Sequence, residues 1–523
     1  MLGPDDLAQL RDLGISEEEV HRQLRIFAHP PPSIEIARPC RIGDGIRVLG
    51  PDETALAQRR YGEACGLGRL TKFVPASGAA SRMFQALLAM RTAGAGLHRA
   101  EVQRWSASGD GNARELLIFI EGLERFAFFP DLQAAMGRQG LDIGALATAG
   151  DFAPILEYLL SPSGLDYAAR PKGLLKFHRY PDGNRTPFEE HLVEAAAWVR
   201  DANGVSRVHV TVSPEHVDAF RALFEQIRAR YERRYTTRFD VAFSVQKPAT
   251  DTLAVDLENR PWRTADGRLL FRPGGHGALI ENLNDLQADL VYIQNVDNVV
   301  PDHLRPDTLA WKKLLVGHLV EIQGAVFDFL SVLDADRTAD LALVERAFRF
   351  ITEVLGAAPP AGLLAEPAGE QRAFLLKQLD RPIRVCGVVR NTGEPGGGPF
   401  WVRGRDGVLT RQIVEGAQVD PDSPEQRALF ASATHFNPVM LVCGVRNWRR
   451  QPFDLLRFVD ADAVFIARKS KDGRELKALE RPGLWNGAMA GWNTIFVEVP
   501  EITFAPVKTV NDLLRREHQP ASL

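Results

Sequence analysis

Arg272-Pro-Gly-Gly-His-Gly-Ala-Leu-Ile-Glu-Asn-Leu283, followed shortly by Leu290-Val-Tyr-Ile-Gln-Asn-Val-Asp-Asn298, decides how this chain is read. The first stretch is a loop almost stripped of side chains that opens into a helical pattern. The second is an apolar strand ending in an Asp with Asn neighbours. Glycines let a backbone approach a flat ligand closely, and a carboxylate at a strand end can hold a hard cation. Together they point to nucleotide chemistry.

A second unit of the same kind lies upstream. Leu70-Thr-Lys-Phe-Val-Pro75 reads as a short strand, runs into the small-residue loop Ala76-Ser-Gly-Ala-Ala-Ser-Arg82, and continues as the helical pattern from Met83. Strand, small-residue loop and helix present amide N–H groups and a helix dipole to phosphate. Val208–Val212, Phe239–Phe243, Arg384–Val389, Ala463–Ala467 and Thr494–Val499 have the β-branched and aromatic content of strands. Alternation with helical segments predicts an α/β fold, Rossmann-like, with a mixed, mostly parallel sheet covered on both faces. Thr186-Pro-Phe-Glu-Glu-His is expected to open an amphipathic helix. The expected plan is a helical extension over 1–60, in which Ser16-Glu-Glu-Glu starts a helix and a Pro-rich connection follows. A core covers 61–450 with helical insertions near 91–165 and 309–380, and an α/β part over 451–523 completes it.

Composition removes several function classes. The 523 residues carry 63 Lys plus Arg against 67 Asp plus Glu, a net charge of −4. No global field draws the chain to nucleic acid or to an anionic membrane. Cys40, Cys65, Cys386 and Cys443 are too widely spaced for a zinc site or a disulfide framework, so buried free thiols are expected. The amino terminus has no basic region leading into an apolar stretch, and no uninterrupted apolar run is expected to span a bilayer. The expectation is a cytoplasmic protein without nucleic-acid or membrane partners, its oligomeric state open.

Four pieces combine into one chemistry. The loop Ala76, Ser77, Gly78 with Arg82 can wrap a triphosphate, Lys172 can supply a cation, Gly275, His276 and Gly277 can receive a base or ribose, and Asp297 can hold Mg²⁺. Phosphoryl and nucleotidyl transfer asks for positioning and charge stabilisation more than covalent chemistry. Each residue also has a plainer reading. Asp297 suits a strand-end turn, Lys172 an ordinary surface, Arg82 a pair with a helix carboxylate, and Gln246 with Lys247 a strand cap. Trp485, Asn486 and Trp492 suit core packing as well as a sugar face, and His435 with Cys443 makes a weak metal pair.

These motifs resemble those of the NDP-sugar pyrophosphorylases, in particular the eukaryotic-type UDP-glucose and UDP-N-acetylhexosamine enzymes. Ala76 to Arg82 is similar to their glycine-rich loop, Pro171-Lys172-Gly173 to their Pro-Lys-Gly, and Phe243-Ser-Val-Gln246 to a uracil-reading Phe-x-Gln that is one residue shorter. Gly275-His276-Gly277 matches their Gly-His-Gly, Asn295-Val-Asp297-Asn298 their Asn-x-Asp-Asn, and Phe504-Ala-Pro-Val-Lys508-Thr-Val-Asn-Asp-Leu-Leu514 a segment whose Lys approaches the phosphates. Over its full length the chain also resembles a bacterial family defined as domain of unknown function number 4301. The resemblance implies a GT-A-like nucleotidyltransferase making an NDP-sugar, with UDP the expected carrier, from a nucleoside triphosphate and a sugar 1-phosphate. It implies catalytic Arg82, Lys172 and Lys508, Mg²⁺ on Asp297, and sugar contacts from Glu415 and Asn437, with Glu394 in the Gly-rich segment 393–401 as a further sugar-binding candidate. A glycosyltransferase of related fold, or a nucleotide-binding module without catalysis, are the alternatives. The Gly-Gly-x-Gly-Thr of the pyrophosphorylases is Ala-Ser-Gly-Ala-Ala-Ser here, and its added methyl groups reshape the phosphate cradle.

Overall fold

The computed structural model describes residues 2–78, 80–92, 97–335, 341–360, 362–393, 396–405, 407–471 and 473–521. The chain forms two compact units, one from residues 1–73, 244–293 and 311–501, the other from 74–243, 294–310 and 502–523.

The first unit is built on a mostly parallel sheet. Its strands run in the order Arg41–Ile42, Gly45–Arg47, Asn493–Glu498, Ile383–Arg390, Met440–Gly444, Leu290–Gln294, Leu70–Pro75. Ile383–Arg390 is parallel to Asn493–Glu498, from Ile383↔Asn493 to Val388↔Glu498, and antiparallel to Met440–Gly444. Leu70 to Phe73 pair in parallel with Leu290 to Ile293. Every residue of Ile383–Arg390 except the last is buried, as expected of a strand covered on both faces. All four cysteines are free and buried, and burial pushes the Cys386 thiol up to about 11.

The first sixty residues hold more than helices. Ser16 caps Glu17–Ala28 by accepting from the Glu19 amide at 3.1 Å. The chain then adds strand Glu35–Pro39 to Gly398–Arg403, and Gly45–Arg47 to Asn493–Glu498. One described helix, Arg305–Ala335, is long and apolar enough to cross a membrane, against the expectation that no run would be. Half of its most apolar window is buried inside the protein.

In the second unit, short helices from Gln85–Thr92 to Ala153–Leu160 close around Phe84, Phe119, Phe126, Phe128 and Phe152. Asp110 and Asp142 start two of these helices by accepting from backbone amides. Val507, Val510 and Leu513 from the end of the chain enter the same core, as do Phe177 and Val299. Strands Val205–Val212 and Arg238–Val245 flank the helix Val217–Tyr235. Helix Pro187–Trp198 is not amphipathic in place: apart from Ala197 it is buried all round, Glu189, Glu190 and Glu194 included. Its acids tolerate burial because the fold brings partners to them. Glu189 Oε1 accepts from the Tyr231 hydroxyl at 2.8 Å, and Glu190 Oε2 accepts from Arg305 at 2.7 Å.

Candidate active site

The strand that ends at Gln294 turns at Asn295–Asp297, and this turn is held from several sides. The Val296 amide donates to the Pro75 carbonyl at 3.3 Å, the Val507 amide to the Asp297 carbonyl at 3.2 Å, and Asn298 bridges to Pro506. Asn298 Oδ1 accepts from the Ala505 amide at 3.0 Å. These bonds lay the segment 505–508 beside the turn and present the Asp297 side chain, only 10% exposed, to two lysines.

Lys172 Nζ donates to Asp297 Oδ2 at 2.9 Å and to the Val507 carbonyl at 2.8 Å. Lys508 Nζ reaches the same Oδ2 at 3.7 Å. Burial on its own would raise the Asp297 pKa, but the Lys172 and Lys508 charges outweigh it and hold the carboxyl below its usual 3.8. Lys172 is fixed at its backbone as well, because its amide donates to the Gly78 carbonyl at 3.3 Å. Gly173 leaves no room for a side chain: a Cβ there would stand 2.8 Å from the Phe220 ring and 3.1 Å from Val296 Cγ2. Lys508 is positioned by Asp512, whose Oδ2 accepts from the amides of Lys508 and Thr509, both at 2.7 Å.

The small-residue loop lies on the same unit. Ala76 is buried with its amide on Thr211, while Ser77 and Gly78 are exposed. A Cβ at Gly78 would meet nothing within 4 Å, so the backbone there borders open space. Arg82 is exposed and forms no ion pair among the described residues, so the plainer expectation of a helix carboxylate partner is not met. Its neighbour Met83 accepts from the Val510 amide at 3.0 Å, which ties this loop to the Lys508 segment.

On the first unit, the 274–277 loop closes against residues 480–485. Gly275 has φ of 77°, and a Cβ on Gly277 would lie 2.1 Å from the Pro482 carbonyl oxygen, so only glycine fits. His276 Nδ1 accepts from the Leu484 amide at 3.0 Å, and its ring stacks on Trp485 at 4.1 Å and 15°. Trp485 Nε1 in turn donates to Glu415 Oε1 at 2.9 Å. His276, Trp485 and Glu415, far apart in sequence, thus form one column. Burial lowers the His276 pKa, against the opposing pull of Glu415 and Glu480.

The remaining candidates are engaged locally. Gln246 donates to Asp251 at 3.1 Å, and Lys247 pairs with Asp285 at 2.6 Å. The Asn437 amide is used at both ends, donating to the Gly387 carbonyl at 2.7 Å and accepting from the Val439 amide at 3.0 Å. It thereby supports Val439, which has a φ of 58°. Glu394 lies outside the described residues.

Sequence reasoning missed a second buried cluster in the second unit. Glu190 Oε1 meets His178 Nδ1 at 3.0 Å and the Tyr180 hydroxyl at 2.6 Å, and His178 Nε2 meets His518 Nδ1 at 3.0 Å. Arg185 and Arg305 both reach Asp302, at 2.7 and 2.6 Å. The available signal was a row of charges inside an otherwise apolar helix, residues 187–198.

Among the described residues no group of three or more His, Cys, Asp or Glu is placed to hold a metal. A single carboxylate beside two ammoniums does not make a protein cage. Asp297 is the one carboxylate there that could offer an oxygen to a hard cation that keeps most of its waters.

Fold and site define an α/β protein whose strand-end carboxylate is bridged by two lysines. The chain belongs to the family described as domain of unknown function DUF4301, whose model matches residues 4–519. No curated protein matches it. Among solved structures it is similar to a mutant UDP-glucose pyrophosphorylase from Leishmania major in complex with UDP-glucose, at 12% identity and TM-score 0.44, covering 98% of this chain and 79% of that one. It is also similar to the uridine diphosphate N-acetylglucosamine pyrophosphorylase from Trypanosoma brucei in complex with inhibitor, at 13% identity and TM-score 0.45, covering 99% and 78%.

Proposed function

We propose that this protein is a sugar nucleotidyltransferase that joins a nucleoside triphosphate to a sugar 1-phosphate and releases pyrophosphate. The observation that carries the reading is the convergence of Lys172 and Lys508 on Asp297, in a chain whose motifs follow the pyrophosphorylase order. In the proposed reaction an oxygen of the sugar phosphate attacks the α-phosphorus, the α–β bridging bond breaks, and its electron pair leaves with pyrophosphate. Charge grows on the phosphate oxygens, and fixed ammoniums aimed at that charge lower the barrier. Lys172, tethered by the Val507 carbonyl, is the preorganised cation, and the half-exposed Lys508 is free to follow the phosphates. Arg82, exposed on the phosphate loop, is the third. Asp297 is the residue that would hold Mg²⁺ arriving with the triphosphate, where the ion supplies charge neutralisation.

Uridine is the proposed base and Gln246 its proposed reader, in the segment that resembles the uracil motif. The test is a panel of nucleoside triphosphates against sugar 1-phosphates, read as pyrophosphate release with Mg²⁺ present. Release with UTP, accompanied by a larger rise in melting temperature with UTP than with ATP or GTP, is the expected result. A purine triphosphate preferred in both assays would move the base assignment. Absence of release with every pair, while an NDP-sugar is consumed in the presence of an acceptor, would replace the proposal with a glycosyltransferase.

A further inference from the structure

A groove of about 940 Å³ on the second unit is not used by the proposed chemistry. It runs between the end of helix Phe129–Gly137, the segment 165–176 and one face of helix Val217–Tyr235, and Lys172, Asp297 and Lys508 are not among its walls. Its lining is mixed, with Leu165, Leu174, Leu223 and Ile227 beside the polar Asn184, His216 and Gln226. Its charges do not cancel. Asp131 is neutralised by Lys176 at 2.6 Å, and Glu189 is engaged by Arg230 at 3.6 Å, by the Tyr231 hydroxyl and by the Thr186 amide. Arg138 and Arg170 line the same groove, are exposed, and have no ion-pair partner among the described residues. In a chain with a net charge of −4 this is a local excess of two positive charges beside apolar side chains.

We infer that this groove is a binding site for a phosphate monoester bearing an apolar or aromatic body. The volume is that of a small-molecule pocket. Two guanidiniums match a dianionic phosphate, which Arg binds through paired N–H donors. The Leu and Ile side chains offer apolar contact to the rest of the ligand. The site also touches the active-site backbone. The Arg170 carbonyl accepts from the Ala80 amide at 3.2 Å, and Pro171, a wall of the groove, leads directly into Lys172.

The experiment is a fluorescence titration of the full chain with 1-naphthyl phosphate, with 1-naphthol and inorganic phosphate as the body-only and charge-only probes. Saturable binding of 1-naphthyl phosphate, tighter than either control, is expected. The double variant Arg138→Gln/Arg170→Gln should weaken it at least about tenfold, equivalent to about 1.4 kcal/mol. Leu223→Asp should weaken it comparably, and Lys172→Ala should leave it within about twofold. The inference is overturned if 1-naphthyl phosphate does not saturate, or if inorganic phosphate binds as tightly. It is also overturned if binding survives the arginine variants but is lost in Lys172→Ala, which would place the probe on the nucleotide phosphates instead. Pyrophosphate release in the nucleotidyltransferase assay is a separate readout, so failure of one reading does not decide the other.

Discussion

Lys172 and Lys508 share one acceptor, Asp297 Oδ2, at 2.9 and 3.7 Å. Two ammoniums against one carboxylate leave a surplus positive charge, carried by the half-exposed Lys508, that favours an anion beside it. The asymmetry of the two is informative. Lys172 has 14% of its side chain exposed and a second bond to a carbonyl, whereas Lys508 has 46% exposed.

Lys172→Ala should therefore lower kcat by about 10² to 10³ with little change in nucleotide affinity, the usual loss when one fixed donor to transition-state charge is removed. Lys508→Ala should act mainly on KM. Steady-state kinetics of both variants check this, and a KM effect alone for Lys172 would make it a uniform binding residue.

Asp297→Asn preserves shape and removes the charge a hard cation requires. Turnover is expected to be lost at every Mg²⁺ concentration, with the circular dichroism spectrum unchanged. Full activity in a folded variant would remove the carboxylate from the chemistry.

Glu190→Gln should cost about 3–5 kcal/mol in denaturant unfolding, since it strips the counter-charge from buried Arg305 and Arg185. The sign with pH follows from the same contacts. Burial raises the Glu190 pKa, but His178, Arg305 and Arg185 together hold it below 4.5. Its contribution is thus complete above pH 4.5 and lost as pH falls through the lowered folded value. A variant with the same acid-unfolding midpoint as the wild type would contradict this.

His518 behaves differently. Burial, then the neighbouring His178 and Arg515, hold its pKa well below 6.5, so the unfolded chain takes up this proton first. Stability from this group is full above pH 6.5 and declines as pH falls from there, by up to about 1.4 kcal/mol per pH unit. Between pH 7.5 and 5.5 the melting temperature of His518→Gln should fall less steeply than that of the wild type. Equal slopes would assign the loss to another group.

Two glycines separate packing from ligand approach. Gly277→Ala places a methyl 2.1 Å from the Pro482 oxygen and should destabilise by about 1–3 kcal/mol or more. Gly78→Ala meets open space and should leave the melting temperature within about 1 °C, while raising KM for the triphosphate if the loop lies on phosphate. Unchanged KM would remove the loop from the site.

The strands and the small-residue loop were legible because they are local. Leu70–Pro75 and the run from Leu290 are mostly apolar or β-branched; the structure draws the first over those residues and ends the second at Gln294, short of the expected Val296. Lys172, Asp297 and Lys508 were legible as separate motifs, and the fold brings them to one point. The Val507 carbonyl was not legible, because a backbone acceptor carries no residue-type signal. Nor was the burial of helix Pro187–Trp198, since the partners of Glu190 come from Arg305, 115 residues on, and, through His178, from His518. The column of His276, Trp485 and Glu415 was invisible for the same reason: three distant segments meet only in the folded chain.

The segment that closes on Asp297 is made well after Asp297 itself. A ribosome completes residues 74 to 310 long before Ala505 to His518 emerge, and until then the Lys172 ammonium lacks its carbonyl and the Phe119–Phe128 core lacks Val507, Val510 and Leu513. Domains generally fold as they leave the ribosome, amino-terminal parts first. This unit must instead wait until residues 505 to 518 have been made, so a chain interrupted before residue 505 leaves an open core for chaperones and proteases to find.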